Sequence, residues 1–325
     1  MKTNFRNIGL VFLATIALSS CSKEESTSTT IPASVPSAQA FTNLQNAAIL
    51  GVTTNFTLIA ENGLATNTSP KGVVIKINGN GLRKNGNPVT GVVDIKYIEV
   101  FDGGKMLTTD KTTLGKLPNG AMAMLISGGE FFIEAKQGGV LLTTVSPITL
   151  EIPGALTGGA NAAMTTWAGQ LPTPEANMLG WVENTAAPGG VQVAGGRSTA
   201  TLLGFGWTNV DRFYNDTRPR TLLLATVPSG YNQGNSSIYL HYDGLGNSLA
   251  KFDTYLPATQ QFSEHYGQIP IGLVCHAIFV TEESGQWRYA IKAFTVQSGD
   301  VYNFTLAETV VGTQAQLEAA INALP

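Results

Sequence analysis

The chain has 325 residues, enough for two ordinary domains, with 13% charged and 8% aromatic residues and a formal net charge of −3. No Lys/Arg run or basic stripe is present, which argues against nucleic acid as a partner. Only two cysteines occur, Cys21 and Cys275, so a disulfide-stapled scaffold is excluded.

The chain opens with Lys2 and Arg6, then the apolar run Ile8 to Leu18, which at 11 residues is too short to span a bilayer. A positive start, a short apolar core and small residues have the layout of a secretory signal over residues 1–20. The segment Leu18-Ser19-Ser20-Cys21 resembles the lipobox of bacterial lipoproteins. That resemblance implies acylation of the Cys21 thiol with diacylglycerol and palmitate-type chains, and cleavage before it. An ordinary secretory signal with a nearby cysteine is the alternative. The remainder would be 305 residues long, with 17 basic and 22 acidic side chains once Lys2 and Arg6 are gone.

Lys23-Glu24-Glu25 follows at once, and resembles the export signal that places lipoproteins of the Bacteroidetes type on the outer face of the outer membrane. A solvated start to a linker is the bland alternative. Residues 21–40 then form a lipidated tether, rich in Ser, Thr and Pro and too poor in apolar surface to order itself.

Short apolar runs separated by turn residues fill 41–152: Phe56–Ala60, Val73–Ile77, Val92–Phe101, Met122–Ile126, Phe131–Lys136, Val140–Thr144 and Ile148–Ile152. Asn62-Gly63, Asn80-Gly81, Asn85-Gly86 and Asn119-Gly120 between them suit tight hairpins. Phe41–Gly51 is read as a short helix ahead of the first strand. Residues 153–190 break the pattern, with Pro153-Gly154, Leu171-Pro-Thr-Pro174 and Ala187-Pro-Gly-Gly190, and read as a connecting segment with a hairpin, anchored by Met164, Trp167 and Trp181.

A second set of strands fills 191–325, from Thr201–Trp207 through Val301–Leu306. Trp287-Arg-Tyr-Ala-Ile-Lys-Ala-Phe294 alternates as a half-exposed antiparallel strand does. Thr313 with Gln316 forms a capping-box pattern, and Leu317, Ile321 and Leu324 share one face of a terminal helix. The predicted fold is all-β: two tandem antiparallel β-sandwich (Ig-like) domains, 41–152 and 191–325, with a short C-terminal helix.

Several stretches support a family resemblance. They are Lys71-Gly-Val-Val-Ile-Lys-Ile77, Asn85-Gly-Asn-Pro-Val-Thr-Gly91 running on to Glu99, Lys105-Met-Leu107, Leu117-Pro-Asn-Gly120 and Ser127-Gly-Gly-Glu-Phe131. Phe205-Gly-Trp-Thr-Asn-Val-Asp-Arg-Phe-Tyr-Asn-Asp216 and Glu264-His-Tyr-Gly-Gln-Ile-Pro-Ile-Gly272 complete the set. Together they resemble two-domain surface lipoproteins of the Bacteroidetes group, from which they depart at Asn78, where a Pro is usual. The resemblance implies a fold and a location at the outer membrane, and carries no reaction, substrate or catalytic residue.

The candidate chemistry lies in a polar set: Asp211, Arg212, Asp216, His241, Asp243, Glu264, His265 and His276. His, Asp and Glu ligate zinc or calcium, yet no His-Glu-x-x-His or other paired ligand spacing is present, so the set is read as structural, without metal or cofactor. Arg212 stands four residues before Asp216 and is expected to tie a loop to it. No Gly-x-Ser-x-Gly elbow occurs, Cys275 lies within an apolar run, and Gly195-Gly-Arg-Ser198 lacks the spacing and Lys of a phosphate loop. The aromatics Trp207, Phe213, Tyr214, Tyr231, Tyr239, Tyr242, Tyr255, Tyr266 and Trp287 are read first as core and edge residues, and second as sugar platforms. The expectation is a non-catalytic structural or interaction protein, held to the outer membrane through Cys21 and facing outward, with an outer-membrane protein or surface glycan as partner. A glycan- or ligand-binding module is the alternative.

Overall fold

The computed structural model describes residues 34–169, 180–185 and 191–325. The signal segment, Cys21, Lys23, Glu24, Glu25, most of the tether, Leu171-Pro-Thr-Pro174 and Ala187-Pro-Gly-Gly190 lie outside the described residues.

Helix α1 (Ala38–Gly51) starts three residues before the expected Phe41, inside what the composition suggested was tether. The Ser37 hydroxyl accepts a hydrogen bond from Ala40 N, and the helix-compatible Ala38-Gln39-Ala40 fills the first turn. Phe41, Gln45, Ala48 and Ile49 make its buried face.

Alternation sets the first sheet. In Val92–Val100 the side chains of Val93, Ile95 and Tyr97 are buried, while Val92 and Asp94 are exposed. That strand sits between Thr53–Ile59 and Met122–Gln137, and the sheet continues through Gly206–Phe213, Thr165–Gly169, Trp181–Glu183 and Leu114–Lys116. A second sheet, Gln192–Ala194, Arg197–Leu202, Ile148–Pro153, Val74–Asn78 and Leu64–Thr68, shares an apolar core with it. Ile75, Ile77, Leu150, Ile152, Ala200 and Leu202 meet Val93, Ile95, Phe131 and Ile133 there. Asn85 (φ 51°) and Gly86 (φ 84°) form the expected two-residue hairpin turn between Leu82–Lys84 and Asn87–Pro88. Asn80-Gly81 instead lies in a single 3₁₀ turn, where a Cβ on Gly81 would meet Ser146 Oγ at 2.4 Å.

The C-terminal strands form another facing pair. One sheet orders Thr254–Leu256, Gln261–Pro270, Arg220–Thr226 and Val301–Asn303. The other orders Ala250–Lys251, Ser236–Tyr242, Val274–Glu283, Gln286–Thr295 and Val310–Gly312. Leu223, Ala225, Phe262, Ile238, Leu240, Phe279 and Phe304 are among the residues of the core they share.

A third core joins the two pairs. Ile98, Val100, Phe132, Trp167 and Trp207 from the first sheet meet Tyr239, Ile278, Val280 and Trp287 from the last. All seven residues of Ser236–Tyr242 are buried, as in a strand covered on both faces. Residues Ser34–Pro325 accordingly form one compact unit.

The domain boundary needs correcting. Arg197–Leu202 pairs with Ile148–Pro153, and Gly206–Phe213 pairs with Met122–Gln137. The boundary read at residue 190 therefore falls within the first pair of sheets, because local alternation marks a strand without naming its partner. The hairpin expected in 153–190 is present as an antiparallel pair, Thr165–Gly169 with Trp181–Glu183, and it extends the large sheet.

The terminal helix α3 (Gln314–Asn322) follows helix α2 (Gly103–Thr108) in the chain and packs on it. It carries the Thr313/Gln316 capping box, with Leu317 and Ile321 buried. It bridges both halves: Lys105 Nζ lies 3.0 Å from Glu318, Gly104 N donates to Asn322 Oδ1 at 2.8 Å, and Leu317 and Ile321 enter the central core. No helix among the described residues is long and apolar enough to cross a membrane.

Candidate functional site

The polar set singled out in the sequence is scattered. His241 and His276 lie opposite each other on paired strands, with ring centroids 6.3 Å apart. His276 Nδ1 is 2.7 Å from Asp243 Oδ1, and His241 Nε2 is 2.9 Å from the main-chain oxygen of Pro325. Burial holds the His241 pKa below its ordinary value. His265 pairs with Asp253 at 3.0 Å, while Glu264, on the same strand but buried, accepts from Gly267 N at 3.0 Å and Gln268 N at 3.4 Å. Burial pushes the Glu264 carboxyl up to about 7.

Asp216 is bound by Arg218, not Arg212. Arg218 Nε lies 3.0 Å from Oδ1 and 3.1 Å from Oδ2, Nη2 lies 2.5 Å from Oδ2, and Tyr214 donates to Oδ2 at 3.0 Å. These bonds hold the Asp216 carboxyl well below the usual carboxylate range. Arg212 is on the strand Gly206–Phe213, whereas Arg218 shares the turn with Asp216, which allows fork-to-carboxylate pairing. Among the described residues, no group of three or more His, Cys, Asp or Glu side chains is arranged to hold a metal ion.

Asp211 belongs to a different place, a node of ionisable side chains inside the protein that composition could not reveal. The register of Gly206–Phe213 against Met122–Gln137 slips between Asn209 and Asp211. Opposite the slip, Gly129 has φ 120°, a conformation open to glycine, and a Cβ on Gly128 would meet Val210 O at 2.7 Å. Ser127 Oγ donates to Asn209 Oδ1 at 3.0 Å, and Asn209 Nδ2 donates to Asp211 Oδ2. Glu130, Asp211 and Lys111 are all within 1% of full burial, and Lys111 Nζ lies 5.5 Å from the centre of the Trp207 ring. Burial and mutual repulsion raise the Glu130 carboxyl far above its ordinary value, with Lys111 pulling the other way; burial raises Asp211 as well. Closed from solvent, this node reaches no substrate. Cys275 is equally enclosed, and burial raises its thiol.

An accessible cleft of about 520 Å³ lies where the two halves meet. Thr112 and Leu114 come from the first half; Gln233, Ser236, Lys251, Asp253, Tyr255, Phe262 and Tyr266 come from the second. The first-half residues are held by the buried run Thr108–Thr113, in which Asp110 adopts φ 53°. Asp110 accepts from Tyr239 Oη at 2.6 Å and from Lys251 Nζ at 2.7 Å, which fixes the cleft floor across the junction. Tyr255 meets Phe262 edge-on, with centroids 5.1 Å apart, and one face of Tyr266 is covered by the His265 ring at 3.8 Å.

Of the aromatics singled out in the sequence, Trp207, Tyr231, Tyr239, Tyr242 and Trp287 are core residues. Only Tyr255 and Tyr266 of that set line this cleft. Its polar members Gln233, Lys251 and Asp253 were missed: each is ordinary in its local sequence. No protein-family model matches the chain, and no curated protein matches it.

Proposed function

We propose that the chain is an outer-membrane lipoprotein, anchored through Cys21 and exposed at the cell surface, whose folded part is a non-catalytic interaction protein. The observation that carries this reading is Leu18-Ser19-Ser20-Cys21 behind an 11-residue apolar run, with Lys23-Glu24-Glu25 next to it. Helix α1 starts after Ser37, sixteen residues past Cys21, a spacing that suits a short tether. Its non-catalytic character is supported by the placement of the reactive groups: Cys275, Glu130 and Asp211 are enclosed, and each histidine is bonded to a neighbour.

Cys21→Ala tests the anchor: the variant should leave the detergent phase in phase partitioning, and retention there refutes acylation at Cys21. Protease shaving of intact cells should remove the folded part, and changing Lys23, Glu24 and Glu25 together to Ala should protect it. Equal shaving of both strains refutes the export role of these three residues.

A second reading, a ligand-binding surface module, is favoured by the cleft between the two halves. Its volume falls in the range of small-molecule sites, roughly 300–1,000 Å³, and it combines aromatic rings with polar groups.

A further inference from the structure

We propose that the cleft at the junction of the two halves is a binding site for a neutral saccharide, seated on Tyr255 and Tyr266 and read by Gln233, Asp253 and Lys251; this rests on the ligand-binding reading above.

Charge decides the first step. Lys251 faces the cleft, but Asp110 already holds its ammonium at 2.7 Å. Asp253 is paired with His265 at 3.0 Å. Both charged groups are engaged, so an anionic ligand finds one engaged lysine and a cationic ligand one engaged carboxylate. Both would give up hydration for little return.

Hydrogen-bonding capacity decides the second. Among the described residues the Gln233 amide and the Tyr255 and Tyr266 hydroxyls make no hydrogen bond, and Asp253 uses only Oδ1. Lys251 Nζ keeps protons beyond the one given to Asp110. These groups supply donors and acceptors side by side, which is what a run of hydroxyls requires, since each hydroxyl both donates and accepts. An apolar ligand of the same size would leave them unpaired, and that penalty discriminates strongly against it.

The rings decide the third. Tyr266 is braced on one face by His265 and Tyr255 by the edge of Phe262, so little side-chain freedom is lost when a ligand packs on them. The axial C–H face of a pyranose is an apolar patch bordered by hydroxyls, matching a ring bordered by amide and carboxylate. The Lys251–Asp110–Tyr239 chain sets the floor from both halves, so the site exists only in the joined protein.

The test uses the whole mature chain and a panel of soluble oligosaccharides: neutral trisaccharides of glucose, galactose, mannose and N-acetylglucosamine, and uronate-containing and sulfated trisaccharides. Saturation-transfer NMR identifies a binder, and calorimetric titration measures it. At least one neutral member should bind, and Tyr266→Ala and, separately, Gln233→Ala should each weaken it by at least about tenfold, as losing a braced ring or a paired amide does. Gln233 is exposed, so its variant keeps the fold even where the tyrosine variant melts early. Binding by charged members alone, binding indifferent to Gln233→Ala, or no binding across the panel each overturns the assignment. Capture of an outer-membrane protein by wild type and by Gln233→Ala alike, with no sugar bound, would leave the interaction reading standing and the saccharide site refuted.

Discussion

Glu264 should make the stability of this protein depend on pH in a direction opposite to that of a salt-bridged acid. Its side chain is only 5% exposed, and burial raises its carboxyl from 4.5 to about 7, against the opposing pull of the Gln268 and Gly267 amides. The unfolded carboxyl releases its proton near 4.5 and the folded one near 7. Between these values the folded state binds a proton that the unfolded state has lost. The favourable contribution is therefore whole below about pH 4.5 and is lost as the pH rises through 7. At about 1.4 kcal/mol per pH unit, the interval corresponds to a loss of about 3 kcal/mol. Glu264→Gln removes the titration while leaving an oxygen to accept from Gly267. Urea denaturation of both proteins at pH 4.5 and pH 8 isolates the effect, because Glu130 and Asp211 titrate in both and cancel. The glutamine variant should be the more stable by about 3 kcal/mol at pH 8, with that advantage gone at pH 4.5. An advantage of the same size at both pH values would refute the reasoning. Glu264→Ala, which leaves the Gly267 and Gln268 amides without their acceptors, should destabilise at pH 4.5 by about 1–3 kcal/mol.

Asp216→Ala and Arg218→Ala should each cost about 1–3 kcal/mol in chemical denaturation, and a double-mutant cycle should show them coupled, while Arg212→Ala should show no coupling to Asp216. Thermal melts with and without EDTA should coincide; a large drop in Tm on chelation would reveal a metal bound to the folded state. Cys275 should resist alkylation by iodoacetamide in the native protein and react on unfolding, as expected of a fully buried thiol whose pKa burial raises.

Local chemistry was readable where it is self-contained. Asn85-Gly86 announces its turn because two positive-φ residues suffice for it, and Thr313 with Gln316 announces the start of α3 because the cap closes within four residues. The strand character of the chain was equally legible from alternation and turn spacing. Partnership was not. Nothing within Gly206–Phe213 indicates that it pairs with Met122–Gln137, more than 60 residues earlier in the chain, and the two-domain division failed at that strand. Asp110-Lys111-Thr112-Thr113 has the composition of a solvated loop, yet it is buried, because the third core covers a segment that either sandwich alone would leave at its edge. The cleft escaped for the same reason. Gln233, Lys251 and Tyr266 come from separate stretches, and only the packing of two sheets brings them together.

The central core also fixes an order of events. Helix α1 stands at the beginning of the described chain, yet its Phe41 rests against Trp287, with ring centroids 6.0 Å apart, and the same core is closed by Leu317 and Ile321 near the other end. Helix α1 thus has no finished seat until Trp287, Leu317 and Ile321 have emerged. Contacts between such distant positions form late, since loop closure must precede them. A chain exported as proposed above would remain open to threading until α3 had cleared the exit, and would lock into shape only then.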